Sequence, residues 1–142
     1  MLGSKKARRW AGLFVGTALM GSLLTGCGGG EKSADNEIKV GANFELTGNV
    51  ANYGTATFEV LQLAIDEANA AGGINGKQIQ LVKADTKSET SEAVTAATKL
   101  IADEKVKVLV GPATTAPVIA ETQIATEHKV PVLAPCATSA RV

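Results

Sequence analysis

IKVGANFELTGNVANYGTATFEVLQLAIDEANAAGGINGKQIQLV, residues 38–82, changes its apolar period twice and thereby decides the fold class. Ile38 to Phe44 is apolar enough for a buried strand. Phe58, Leu61, Ala64, Ile65 and Ala68 then recur at helical spacing, while Glu59, Gln62, Asp66 and Asn69 point the other way. Gly72-Gly73 supplies the stop of that amphipathic helix. After the turn signal Asn75-Gly76, Ile79 to Val82 is a second short apolar strand.

The same rhythm continues downstream. Ala93, Ala96, Ala97, Leu100 and Ile101 mark a second helix, with Glu89 and Glu92 near its start, where the helix dipole favours negative charge. Val106 to Val110 is a third strand. Ala116 to Glu127, with Pro117 near the first turn, is a third helix with a less clean apolar face, and Val130 to Leu133 is a fourth strand. Short apolar strands alternating with helices predict an α/β fold, an open, mostly parallel sheet with helices on both faces. In such sheets ligands sit outside the C-terminal ends of the strands. That singles out Glu45 to Tyr53, Asp85 to Thr90, Gly111 to Ala116 and Ala134 to Ala140.

Upstream, Lys5 to Arg9 is a basic stretch and Trp10 to Leu24 is an apolar and small-residue run too short for a bilayer span of about 20 residues. Leu24-Thr25-Gly26-Cys27 resembles a bacterial lipobox, which makes residues 1–26 a lipoprotein signal peptide and Cys27 the lipidated first residue of the exported chain. The alternative is that Cys27 is an incidental thiol after an ordinary signal. Residues 27–36 are a Gly, Ser and charged tether, and residues 37–142 are the folded domain.

Hydrophobic residues are 45% of the chain, so a core can be buried, but aromatics at 4% require it to be built from Ala, Val, Ile and Leu. Four of the 14 basic side chains, Lys5, Lys6, Arg8 and Arg9, fall in the signal, so the remainder carries 10 against 14 acidic ones, a net −4. With no basic stripe or stacking aromatics, the chain lacks the footprint of nucleic-acid binding. His128 is the only histidine, which leaves little for a metal site or a Ser/His/Asp triad, and its expected place is solvent near a helix C-terminus. Neither G-x-x-x-x-G-K-[ST] nor G-x-G-x-x-G occurs, so no cofactor is called for.

Ile38-Lys39-Val40-Gly41, Leu46-Thr47-Gly48, Tyr53-Gly54 and Ala70-Ala71-Gly72-Gly73-Ile74-Asn75-Gly76 together resemble the opening of the branched-chain amino-acid binding proteins of ABC importers. Gly111-Pro112, Val130-Pro131-Val132 and Ala134-Pro135 continue the match in order. The resemblance implies the first lobe of a two-lobed periplasmic binding protein of type I that closes over its ligand. It implies a partner permease in the membrane, a small amino acid or related amide as ligand, and no enzymatic activity. By motif position it makes Thr115, Cys136 and Thr138 the polar grip through hydroxyls and backbone, with Tyr53 lining the pocket and Thr114 and Ala137 as neighbours. A helix N-terminus with hydroxyl donors suits a carboxylate. Thr115 could equally cap the third helix, Tyr53 could be a surface loop aromatic and Thr138 a turn hydroxyl.

Some members carry a disulfide at positions corresponding to the region of Lys87 and to Thr114, where this chain has no cysteine. Relatives also continue beyond the position of Val142 with the hinge and second lobe, so the domain is expected to be an incomplete lobe that binds weakly or not at all, with exposed sheet edges. Two other functions fit the same residues: a ligand-sensing module not coupled to transport, or a truncated remnant. A phospho-accepting role for Asp85, at a strand end, conflicts with export and with the single companion acid Glu45.

Overall fold

The computed structural model describes residues 36–140 and 142. The signal, Cys27 and the tether up to Asp35 lie outside them. Four strands and three helices alternate: β1 (Glu37–Phe44), α1 (Ala51–Ala70), β2 (Gln78–Asp85), α2 (Thr90–Ala102), β3 (Val108–Val110), α3 (Thr115–Glu127) and β4 (Val132–Leu133). The strands form one parallel sheet in the order β2-β1-β3-β4. β1 is central and pairs with β2 along its whole length, from Glu37 opposite Gln78 to Phe44 opposite Asp85.

Alternation along β1 separates the two faces of the sheet. Val40, Ala42 and Phe44 pack with Ile65, Phe58 and Leu61 of α1, and the Phe44 and Phe58 rings meet edge to face at 6.4 Å. The opposite face holds Leu109 and Val106 against Ala97, Leu100 and Ile101 of α2 and Ala125 of α3. Gly41 belongs to that side, where a Cβ would stand 2.7 Å from Leu109 Cδ2, so glycine lets the helical layer close on the strand. Helices therefore cover both faces of a core made almost wholly of aliphatic side chains, as the composition requires.

Several local expectations change. α1 begins at Ala51, so Tyr53 lies in its first turn and not in a loop. Asn69 does not point to solvent: its amide accepts from the Ile79 N–H at 2.7 Å and donates to the Ile79 carbonyl at 2.9 Å, tying α1 to β2. Ala64, by contrast, is exposed. Helix α1 ends through Gly73, whose N–H reaches back to the Ala68 carbonyl at 2.8 Å with φ +75°, a left-handed conformation that glycine adopts without strain. β2 runs on to Asp85, and β3 begins only at Val108, Val106 being a buried residue of the preceding loop. His128 is the exposed C-cap of α3. At the far edge β4 contributes two residues, and Leu133 is 59% exposed.

Candidate functional site

The C-terminal ends of β1, β3 and β4 converge with the first turns of α1 and α3. There, Tyr53, Ala113, Thr114, Thr115, Cys136 and Thr138 line an open cleft of about 560 Å³. Tyr53 projects from the first turn of α1 and is 60% exposed; Thr115 is the first residue of α3; Cys136 and Thr138 lie on the segment after β4. Of the residues singled out in the sequence, Ala137 is the one absent from the lining, half-buried between its two neighbours. Cys136 is an exposed free thiol, 3.5 Å from the Thr57 hydroxyl of α1.

The α3 start is built differently from a side-chain cap. Thr114, not Thr115, is the N-cap residue, and its hydroxyl makes no capping bond to the helix. It turns away and donates to Glu45, whose carboxylate also accepts the Ala113 N–H at 2.9 Å and the Thr114 N–H at 3.1 Å. Glu45 follows β1 directly and is fully buried. The sequence signal for it was a lone acid at the end of an apolar strand, with nothing to indicate partners nearly seventy positions away.

Gly54 explains how α1 reaches this corner. A Cβ on it would lie 2.1 Å from the Glu45 carbonyl oxygen, inside van der Waals contact with backbone that cannot swing aside. Gly54→Ala is therefore expected to lift the first turn of α1 from the end of β1, with a loss of about 1–3 kcal/mol in denaturant unfolding. An unchanged midpoint would mean that the close approach is not needed.

Asp85 is the second tie. Its Oδ1 accepts the N–H groups of Leu46, Thr47 and Lys87 at 3.0, 3.1 and 2.8 Å, and its Oδ2 accepts the Thr47 hydroxyl at 2.7 Å. Partial burial pushes its carboxyl up, but the bonds from Lys87, Thr47 and Leu46 outweigh that and hold it below its ordinary value. With both oxygens engaged, Asp85 joins the loop after β1 to the loop after β2. Ser88 adds to the join by donating to the Thr47 carbonyl at 2.7 Å and accepting the Val50 N–H at 3.2 Å.

The interior also holds a buried polar pair. Asn43 donates through Nδ2 to the Ala93 carbonyl at 3.0 Å and to Glu121 Oε2, joining β1 to α2 and α3. Among the described residues, no group of three or more His, Cys, Asp or Glu side chains is placed to hold a metal, and no helix is long and apolar enough to cross a membrane.

The model of the family described as periplasmic binding protein matches residues 37–141, nearly all of the folded part. The chain belongs to that family. Among periplasmic binding proteins, the Leu/Ile/Val-binding protein BraC3 of Rhizobium johnstonii is 39% identical over 82 residues, covering 58% of this chain and 22% of the relative. The Leu/Ile/Val-binding protein of Escherichia coli is 33% identical over 93 residues, covering 63% of this chain and 25% of the relative. In structure, the chain resembles the branched-chain amino-acid transporter substrate-binding protein LivJ of Streptococcus pneumoniae, solved with isoleucine. The two share 50% identity and a TM-score of 0.72 over 73% of this chain and 30% of that one. A solute-binding protein of an ABC transporter from Rhodopseudomonas palustris, solved with 3,4-dihydroxybenzoic acid, is 27% identical with a TM-score of 0.68 over 73% of this chain and 28% of that one. The chain thus spans less than a third of the length of the periplasmic binding proteins it matches, and the open parallel sheet is shared with them.

Proposed function

We propose that the cleft holds the head group of a small amino acid, branched-chain or otherwise aliphatic, for delivery to an ABC permease. In this reading the chain is exported, tethered to the membrane through lipid on Cys27, and contributes one wall of a two-lobed binding site. Thr115 and Thr138 donate their hydroxyls and backbone N–H groups to the carboxylate, Cys136 and Ala137 contribute backbone, and Tyr53 packs over the aliphatic part. The observation that carries the reading is the convergence of Thr115, Cys136, Thr138 and Tyr53 on one cleft at the C-terminal rim of the sheet. Its support from relatives is the isoleucine in the 50% identical LivJ.

The chemistry is consistent with a neutral or zwitterionic solute. A carboxylate placed at the first turn of α3 meets unpaired N–H groups and the positive end of the helix dipole, and hydroxyl donors add charge-assisted bonds. One open wall leaves most of a small ligand's surface in water, so affinity is expected to be weak.

Titration of the isotope-labelled chain with leucine, isoleucine and valine checks this. Amide shifts at Thr115 and Thr138 should move with millimolar affinity, and the Thr115→Ala, Thr138→Ala double variant should bind about 10- to 100-fold more weakly, as loss of bonds to a charged group implies. Absence of any shift at those positions up to the solubility of leucine would end the proposal. A response to 3,4-dihydroxybenzoate but not to leucine would redirect it to aromatic acids.

A further inference from the structure

We infer that Glu45 is a positioning residue for the cleft: its buried carboxylate takes up the Ala113 and Thr114 amides and the Thr114 hydroxyl, and so decides which donors of the α3 start are left for a ligand. The inference rests on the binding function proposed above. A carboxylate with no exposed surface costs free energy unless its lone pairs are satisfied. Among the described residues it has no cationic partner. Glu45 obtains compensation from two N–H groups at 2.9 and 3.1 Å, the Thr114 hydroxyl and the positive end of α3.

The same bonds have a consequence at the rim. The start of α3 already carries one anion on its inner side, which removes two amides from the set open to solute. With Thr114 as N-cap, the next three positions are Thr115, Ala116 and Pro117, and proline has no N–H. The backbone donors at the helix start without an intrahelical acceptor are therefore those of Thr115 and Ala116. Thr114 and Thr115 both line the cleft, but the Thr114 hydroxyl and amide are engaged by Glu45. Glu45 thus presents Thr115 and withholds Thr114. Gly54, whose lack of a side chain lets α1 lie on the Glu45 backbone, fixes the base from which the carboxylate reaches.

Amide hydrogen exchange and leucine titration on the same labelled chain test this. In the wild-type chain the Ala113 and Thr114 amides should exchange at least about 10-fold more slowly than those of Thr115 and Ala116, a comparison that requires no variant to fold. Glu45→Gln keeps the shape but turns one acceptor into a donor, so at least one of the two amides loses its partner. Its exchange should accelerate about 10-fold, the β1–β2 ladder amides should stay within about two-fold, and leucine affinity should fall about 10-fold.

Equal exchange at all four wild-type amides would overturn the inference. So would uniform acceleration across the variant, or an unchanged leucine affinity in a variant in which either amide has been freed. If the wild-type chain binds no leucine, the functional proposal fails, and the exchange pattern alone still decides whether Glu45 holds this loop.

Discussion

Glu121→Gln should make the folded chain increasingly more stable than wild type as pH rises, from little difference near pH 4.5 to roughly 3–5 kcal/mol near pH 8. Glu121 is fully buried on α3, with one oxygen bonded to Asn43 and the other, Oε1, without a hydrogen-bond partner among the described residues. Burial pushes its carboxyl up to about 8; the bond from Asn43 opposes the shift and the neighbouring Glu45 charge adds to it. An acid whose folded pKa lies above its unfolded value binds more protons when folded. Its favourable contribution is complete below about 4.5 and is lost as pH climbs through about 8.

Gln cannot ionise, keeps an oxygen for Asn43, and removes that loss. Asp85 acts in the opposite sense, since its lowered carboxyl supplies stability above its unfolded value that is lost only as acid protonates it. Denaturant unfolding at pH 5, 6, 7 and 8 measures the Glu121 slope; that of Asp85 falls in more acidic buffer, below its unfolded value. Parallel wild-type and Glu121→Gln curves would mean that Glu121 ionises without penalty, and that its surroundings are wetter than the packing indicates.

Phe44→Ala should cost about 3–5 kcal/mol, the largest loss expected from any single truncation here. Phe44 has no exposed surface, anchors the α1 face of the sheet, and meets Phe58 edge to face. Few other aromatic rings exist to refill the space, because Phe and Tyr together number only four in the chain. A Cβ on Gly111 would sit 3.1 Å from the Phe44 ring, so the ring also supports the turn that leads to Ala113 and Thr114. For a domain whose total stability is of order 5–15 kcal/mol, the variant should be partly unfolded at 25 °C. The near-ultraviolet circular dichroism and the urea midpoint report this; a shift worth under about 1 kcal/mol would show that α1 relaxes into the gap.

The layered architecture was legible because aliphatic periodicity carries it. Val40, Ala42 and Phe44 announce a buried strand, and Phe58, Leu61 and Ile65 announce a helix that covers it. Boundaries failed where that signal is weak. The first turn of α1 contains Gly54 and follows Val50, which offers no capping side chain, so Tyr53 read as loop. β2 lies at the sheet edge and carries exposed Lys83, which hid its run to Asp85. Asn69 looked like a solvent-facing polar residue because its two bonds go to the backbone of another element.

The rim segments that line the cleft followed from the strand–helix alternation, but the choice of residues within them came only from resemblance, since no local pattern distinguishes a ligand-binding threonine from a capping one. The alternative reading of Thr115 as a cap fell one residue late: Thr114 is the N-cap, and its hydroxyl goes to Glu45 instead of the helix. Sequence spacing has no means of pairing β1 with a helix start nearly seventy positions later.

The four bonds gathered by Asp85 carry a thermodynamic signature for whatever solute arrives. Loops that are stitched together beforehand have little conformational freedom left to surrender, so association should proceed without a slow ordering phase. Under the proposed function, the heat-capacity change should then scale with the apolar area buried between solute and cleft, rising modestly from valine to leucine in place of the larger value that coupled folding would give.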